Sequence, residues 1–194
     1  MPRIAILGWG SLLWDRGCLQ IKEPWNRDGP KLPIEFARTS GLTPTNGPPY
    51  LSLVIYPIPE KIVTYWTLSL LADLKSAREN LRERENHPPL SKIAFLPSRQ
   101  SWSPVPGVDG TIRKWLASRA AEVDIVLWTN LSWKLETLTQ FNAQDAIAWV
   151  DKELIKKNRA SRAEEYVRKA PSQTDTPLRR MLRAQFGWTD INIT

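Results

Sequence analysis

Residues 7–15 read "LGWGSLLWD" and follow directly on an apolar run that begins at Ile4. The apolar run predicts a short buried strand, and the two glycines on either side of Trp9 predict a turn where that strand ends. A turn needs glycine wherever φ is positive, but it has no need of an indole ring. Gly8 and Gly10 therefore indicate a backbone that comes close to another group. The alternative is a tight strand exit with Trp9 folded onto the core.

The composition is that of a globular chain. The 194 residues are 42% hydrophobic and 24% charged, which suits one domain with a full core. Cys18 is the single cysteine, so no internal disulfide forms, as expected in a reducing cytosol. The apolar run at the N-terminus is too short for a signal peptide, and no run approaches the roughly 20 residues that cross a bilayer. We therefore expect a cytoplasmic protein without a membrane partner.

The charge balance leaves nucleic acid as an alternative partner. The formal net charge is +7 and the sequence pI is about 9.7. A basic protein can bind phosphates, but here the basic residues are interleaved with acids along the chain. A solvated helical surface explains that pattern at least as well, so nucleic acid is the less favoured partner.

The hydrophobic pattern predicts strands in the first two thirds of the chain and helices in the last third. Strands are expected near six positions: Ile4, Phe36, Leu53, Val63, Phe95 and Val126. Helical spacing appears over residues 70–85, 111–122, 142–158 and 176–186. In the last of these, Thr176 is a candidate N-cap and Pro177 the first helical residue.

This order of elements predicts an α+β fold with a helical C-terminal extension. We expect a main domain over residues 1–134 and an extension over residues 135–194 that packs on the same domain. About 60 residues make a marginal core alone, so the extension needs apolar anchors. Trp149, Tyr166 and Trp188 are the candidates.

The helix predicted over residues 70–85 ends in two glutamates with different expected surroundings. At about 100° per residue, Glu85 lies roughly 40° from Leu81, on the apolar stripe of the helix. Glu83 lies roughly 200° from Leu81 and should face solvent. A carboxylate on an apolar stripe is costly unless it has a partner or a role.

Two interpretations of Glu85 remain open at this point. It could be a general base whose pKa is raised by apolar surroundings. It could equally be a carboxylate in a frayed last turn, either solvated or paired with Arg78 or Arg82. Periodicity alone does not choose between them.

Taken together, the two stretches resemble a known family. "GWGSLLW" is similar to the Tyr-Gly-Ser-Leu signature of the γ-glutamylcyclotransferase-like superfamily, in the style of its ChaC-type members. "LRERE", residues 81–85, stands after "VTYWTL" in the order in which that family places its catalytic glutamate. The likeness covers residues 3–131 and implies a small mixed β-barrel of about six strands with helices around it.

The resemblance also implies a function and a site. It implies a lyase that releases 5-oxoproline and an amine from a γ-glutamyl amine, amino acid or peptide, with no cofactor and no metal. Glu85 would be the catalytic acid and base, and the substrate loop would consist of Leu7, Gly8, Trp9, Gly10, Ser11 and Leu12. Arg38 is a further candidate for a substrate carboxylate, and His87 for a hydrogen bond in the site. One histidine and one cysteine cannot build a zinc site.

The chain departs from the family pattern at two site positions. Trp9 stands where the family has Tyr, and Asn86 stands where a glycine often follows the glutamate. Two alternative functions therefore stay open: a non-catalytic small-molecule-binding or regulatory module on the same fold, and a basic nucleic-acid-associated protein. The sequence predicts neither the amine of the γ-glutamyl substrate nor the oligomeric state.

Overall fold

The structure, a computed structural model, describes residues 1–41, 48–98, 108–135 and 142–191. Its strands are β1 (Ile4–Gly8), β2 (Lys31–Leu32), β3 (Ile34–Ser40), β4 (Tyr50–Ile55), β5 (Ile62–Val63), β6 (Tyr65–Leu68), β7 (Ile93–Pro97) and β8 (Ile125–Thr129). Its helices are α1 (Leu74–Arg84), α2 (Asp109–Ser118), α3 (Ala143–Trp149), α4 (Ser161–Lys169) and α5 (Pro177–Phe186). A π-helical turn, Val150–Ile155, follows α3 directly. This mixture confirms the predicted α+β class.

The chain divides into two compact units. The first unit comprises Met1–Leu32 and Val63–Leu131, and the second comprises Pro33–Ile62 and Ser132–Thr194. This grouping differs from the sequence-based division, which put residues 33–62 with the first strands. Residues 136–141 and 192–194 of the predicted extension lie outside the described residues.

The first unit is built on a four-stranded sheet in the order β6-β1-β8-β7. β1 is parallel to β8 and antiparallel to β6, so Ile6 lies beside both Leu127 and Thr67. All five residues of β1 are buried, as expected for a central strand. On one face, Ala77 and Leu81 of α1 join the core cluster with Ile4, Ile6 and Leu127.

All six predicted strand positions lie in strands, but the predicted barrel is not confirmed. The described strands form three separate sheets: the four-stranded sheet, the pair β3–β4 and the pair β2–β5. Beyond β6, the edge strand next to β1, the pairing continues only as isolated antiparallel bridges, Ile21 to Ser69 and Asn26 to Trp66. The amides of Asn26 and Trp66 each donate to the other's carbonyl, at 2.8 and 3.0 Å.

The second unit is built on the antiparallel pair β3–β4 and the C-terminal helices. α4 packs against β4, α5 packs against β3, and α3 packs against α5. Trp149 and Trp188 are buried. The Tyr166 ring lies 6.3 Å from the Phe36 ring and 5.1 Å from the Tyr50 ring. The C-terminal helices therefore share their core with residues 33–62 and do not form a unit alone.

α5 begins as predicted, and a buried carboxylate reinforces its first turn. The Thr176 hydroxyl accepts a hydrogen bond from the Arg179 amide at 3.3 Å, and Pro177 is the first helical residue. Glu35 of β3 accepts the Thr176 hydroxyl and, at 3.2 Å, the Leu178 amide. Glu35 is 1% exposed, and burial raises the pKa of its carboxyl. The positive end of the helix dipole favours its anion.

Gly8, at the end of β1, lies close to the Trp25 ring, as expected for a backbone that approaches another group. A Cβ atom there would lie 2.6 Å from Cζ3 and 2.8 Å from Cη2 of Trp25, and 3.2 Å from Cδ2 of Leu13. The Trp25 ring packs against the core cluster of the first unit, so it cannot retreat without losing contacts. Trp25 therefore requires glycine at position 8.

The Glu35 carboxyl gives the second unit a testable pH dependence. Its pKa in the folded protein is raised above the ordinary value of about 4.3, so its stabilising contribution is present at low pH and is lost as the pH rises through the raised pKa. We expect the free energy of unfolding of the wild type, relative to Glu35→Gln, to fall as the pH rises from about 4 toward neutrality. Urea unfolding at several pH values measures this difference. A constant or rising difference would contradict it, and Glu165→Gln on the exposed side of α4 is the control.

A pair of glycine substitutions tests the close approach at Gly8. Gly8→Ala should lower the free energy of unfolding by about 1–3 kcal/mol, because the added methyl overpacks against Trp25. Gly110→Ala is the matched control, since its Cβ would meet nothing within 4 Å and it lies in α2. It should not lower stability, because the added methyl has room and alanine favours the helical conformation. Equal effects of the two substitutions would refute the packing argument.

Candidate active site

Glu85 caps the C-terminal end of α1 in the first unit. Its amide donates to the Leu81 carbonyl at 3.1 Å, and its side chain is 15% exposed. Glu83, two residues earlier, is exposed. The predicted contrast between the two glutamates is therefore present in the structure.

Arg84 connects Glu85 to the loop that follows β1. Its Nη1 donates to Oε1 of Glu85 at 2.8 Å. Its Nη2 donates to Oγ of Ser11 at 3.0 Å and to the carbonyl oxygen of Asp15 at 2.6 Å. The Arg84 side chain is only 11% exposed. One guanidinium thus brings the two sequence motifs together.

The start of α1 and a second contact to the same loop fix the helix in place. Oδ2 of Asp73 accepts the Ser76 amide at 2.8 Å, so Asp73 is the N-cap. Further along, the buried Asn80 accepts the Gln20 amide at 2.9 Å and donates to the Cys18 carbonyl at 3.0 Å. α1 is therefore tied to the segment after β1 at two levels, by Asn80 and by Arg84.

The end of α1 is set by two residues in the left-handed region. Asn86 has φ of 63° and His87 has φ of 57°. Their amides donate to Glu83 and Arg82 at 3.0 and 2.9 Å, which closes the last turn. The backbone leaves the helix here, and Pro88 and Pro89 prevent it from resuming.

Two opposing influences act on the Glu85 carboxyl. Burial raises its pKa, while the charge and the hydrogen bond of Arg84 lower it, and burial prevails. The negative end of the α1 dipole acts in the same direction as burial. Glu85 therefore holds a proton more readily than an exposed glutamate does. The neighbouring Arg84 cation stabilises its ionised form and so limits the rise of its pKa.

Some residues of the predicted substrate loop are buried in the core, and another one contacts Arg84. Leu7 and Leu12 are buried, and Leu12 belongs to the core cluster. The backbone of Trp9 is extended and the residue is 5% exposed. Its burial agrees with the alternative in which Trp9 is folded onto the core at the strand exit. Gly10 has φ of 69°, a conformation that glycine adopts without strain, and opens the 3₁₀ turn Gly10–Leu13. Ser11 is the loop residue whose side chain reaches Arg84.

The structure requires glycine at positions 8 and 10 for different reasons. Gly8 makes room for Trp25, whereas Gly10 supplies the positive φ of the turn. The close approach predicted at Gly8 is made by a side chain of the same unit. Its assignment to the substrate loop stays a prediction.

Of the two further candidates, His87 lies in the first unit and Arg38 in the second. His87 is exposed in the turn after α1. Arg38 belongs to the second unit, where its Nη1 donates to the Ser132 carbonyl at 2.7 Å. Burial lowers the pKa of the Arg38 guanidinium. Their assignment to the site also stays a prediction.

Arg84 is the site residue that the sequence analysis missed. The alternative partners of Glu85 are engaged elsewhere: Arg78 donates to the carbonyls of Leu90 and Ile93, and Arg82 to the Pro88 carbonyl and Glu79. Adjacent side chains do not face each other along a regular helix. Glu85 meets Arg84 because the helix ends between them, and the two prolines that follow were the available signal.

The described parts of the chain hold no group of three or more His, Cys, Asp or Glu side chains placed to bind a metal ion. Within those same parts, no helix has both the length and the apolar character needed to cross a bilayer. Comparison of the chain with protein-family models, with curated proteins and with solved structures gave no match.

Proposed function

We propose that the protein is a γ-glutamyl cyclotransferase-type lyase with Glu85 as its general acid and base. The observation that carries the proposal is the bridge through Arg84, which joins a mostly buried carboxylate to the glycine loop after β1. In this proposal the protein acts in the cytoplasm on a small γ-glutamyl compound, without a cofactor.

The chemistry needs little from the protein. The α-amine of a γ-glutamyl group attacks its own γ-carbonyl carbon, which forms the C–N bond of a five-membered lactam. The C–N bond to the leaving amine then breaks. The α-ammonium loses two protons as it becomes the lactam N–H, one before and one after the attack. Glu85 takes each in turn and passes them to the leaving nitrogen, which departs as an ammonium, so the protons balance. Because nucleophile and carbonyl belong to one molecule, proximity supplies much of the rate.

The surroundings of Glu85 suit this role. A general acid and base works best when its pKa lies near the operating pH, and burial moves the pKa of Glu85 in that direction. Only Oε1 accepts a hydrogen bond from the described residues, so Oε2 remains for the substrate. Near the loop, backbone amides can hold substrate oxygens.

The proposal includes the γ-glutamylcyclotransferase-like fold. Its support is the order of β1, the glycine turn, further strands and then α1 with its terminal glutamate. Asn86 adds to that support. It stands where the family often has glycine, and its φ of 63° is a conformation in which glycine is favoured.

A non-catalytic binding module is the second candidate, and the ion pair itself favours it. A carboxylate that is already paired with Arg84 can orient a ligand without transferring a proton. Nucleic-acid binding has weaker support. Three cations of the C-terminal region form ion pairs with acids four residues away: Lys157–Glu153, Arg168–Glu164 and Lys169–Glu165.

Substitution of the two glutamates separates the candidates. Glu85→Gln keeps the size and removes the titrating proton, so release of 5-oxoproline from an active γ-glutamyl compound should fall by about 10²–10⁴-fold. Glu83→Gln, at an exposed position of the same helix, is the matched control and should leave the rate nearly unchanged. Enzymatic assay of 5-oxoproline over a panel that includes glutathione measures both. Equal loss in both variants, or no release by the wild type from any member, would reject the lyase.

The pH dependence of the reaction tests the state of Glu85. As a base it must be ionised, so kcat/KM should fall as the pH drops through the pKa of Glu85 in the free protein. Because burial raises that pKa, the fall should begin well above the ordinary glutamate value of about 4.3. Steady-state assays across the acid range locate the midpoint. A midpoint at or below the ordinary value would show that another group controls the step.

A further inference from the structure

Two cations stand side by side at one end of the β3–β4 pair in the second unit. Arg38 of β3 is bridged in parallel to Lys134 on one side and pairs with Ser52 of β4 on the other. Residues paired across neighbouring backbone segments carry their side chains on the same face. The positive charges of Arg38 and Lys134 therefore repel each other, which costs free energy unless a negative charge is bound beside them.

Arg38 is not balanced by a carboxylate of the described residues. Burial lowers the pKa of its guanidinium, and among those residues only the Tyr50 phenol acts on this pKa in the opposite direction. Its Nη1 donates to the Ser132 carbonyl at 2.7 Å, an acceptor that carries no net charge. A half-buried cation without a counterion is costly, and a bound anion would offset that cost.

The next row of the same face adds a third cation. Ser40 pairs with Tyr50 there, and the Arg162 guanidinium lies 4.3 Å from the centre of the Tyr50 ring. Arg162 belongs to α4, whose acids are bound by cations four residues further along that helix: Glu164 by Arg168 and Glu165 by Lys169. The acids of α4 are thus already engaged with other cations.

The uncharged side chains of these two rows are hydroxyls. Oγ of Ser40 and Oγ of Ser52 lie 2.8 Å apart, and Ser52 is directly opposite Arg38. Small hydroxyl groups leave room beside a guanidinium and bring no negative charge that would compete with an anion. The rows formed by residues 38 and 52 and by residues 40 and 50 therefore combine positive charge with neutral polar groups.

The number of charges selects among the possible anions. Two adjacent cations balance a dianion, whereas a single carboxylate would neutralise only one of them. A phosphate monoester carries a charge of about −1.5 to −2 at neutral pH and three acceptor oxygens, and a guanidinium matches those oxygens with two parallel N–H groups. The Tyr50 ring already contacts Arg162 and, at 5.1 Å between ring centres, Tyr166, which disfavours it as a stacking platform for nucleic-acid bases.

We propose that Arg38 and Lys134 bind the phosphate group of a small phosphorylated ligand. Arg38 supplies the oriented N–H donors, and Lys134 supplies the second positive charge. The inference goes beyond the proposed function and does not depend on it, because Arg38 and Lys134 belong to the second unit and Glu85 belongs to the first.

Isothermal titration calorimetry of the full chain with inorganic phosphate tests the site. At neutral pH and constant ionic strength, phosphate should bind at least about 10-fold more tightly than acetate, because a second charge meets a second cation. Equal affinity for the two anions, or no binding of phosphate, would overturn the proposal. Binding of an oligothymidylate that lacks terminal phosphates, without binding of inorganic phosphate, would assign the cations to a nucleic-acid backbone and would also overturn it.

Substitutions then assign the contacts. Arg38→Met should weaken phosphate binding by at least about 10-fold, and Lys134→Met by about 3-fold, because Lys134 is exposed and its charge is screened. Lys156→Met is the control for net charge, since it removes an exposed cation that is paired with Asp151 at 2.7 Å in the same unit. Equal weakening in the three variants would show a general effect of charge and reject the site.

Folding of the variants is checked by circular dichroism, because Arg38 also bonds to the Ser132 carbonyl. If Arg38→Met does not fold, Lys134→Met decides the question, since Lys134 is exposed. Unchanged phosphate binding in a folded Lys134→Met protein would then overturn the proposal.

The outcomes for this inference and for the lyase are distinct. Phosphate binding that depends on Arg38, without release of 5-oxoproline from any γ-glutamyl compound, would support the phosphate site and reject the lyase. Loss of 5-oxoproline release in Arg38→Met, with phosphate binding unchanged, would assign Arg38 to the γ-glutamyl substrate and reject the phosphate site.

Discussion

The guanidinium of Arg84 is the interaction on which the candidate site depends. Glu85 stands at the negative end of a helix and is mostly removed from water, two conditions that disfavour its charge. Arg84 offsets part of this cost with a hydrogen-bonded cation, and the same guanidinium fixes the loop through Ser11 and Asp15. A single side chain therefore joins two stretches of sequence that lie more than 70 positions apart.

The packing of the first unit positions the loop and α1 so that Arg84 can contact both Ser11 and Glu85. β1 is the buried strand between β6 and β8, so the loop at its end has a fixed origin. Gly8 lets the Trp25 ring close over that end, and Gly10 turns the chain so that Ser11 meets α1. Leu81 holds α1 on the sheet, one turn before Glu85. Core packing and the polar bridge thus act on the same short segment.

Periodicity and capping chemistry predicted what depends on local sequence. The exposure of Glu83, the partial burial of Glu85, the Thr176 cap and the six strand positions all follow from spacing along one element. Contacts between distant segments were not predictable in that way. Trp25 over Gly8, the isolated bridges beyond β6 and the grouping of residues 33–62 with the C-terminal helices need the tertiary fold. Arg84 was missed because helix geometry separates neighbours, and the helix ends at that residue.

The central claim is that Glu85 is a largely buried carboxyl whose pKa is raised by burial and lowered by Arg84. A ¹³C NMR titration of the glutamate carboxyls tests this claim most directly. The Glu85 signal is assigned by its absence from Glu85→Gln. The account predicts a pKa above the ordinary glutamate value of about 4.3, and a further rise in Arg84→Met, because Arg84 lowers the pKa that burial raises. An ordinary pKa that does not change when Arg84 is replaced would contradict it.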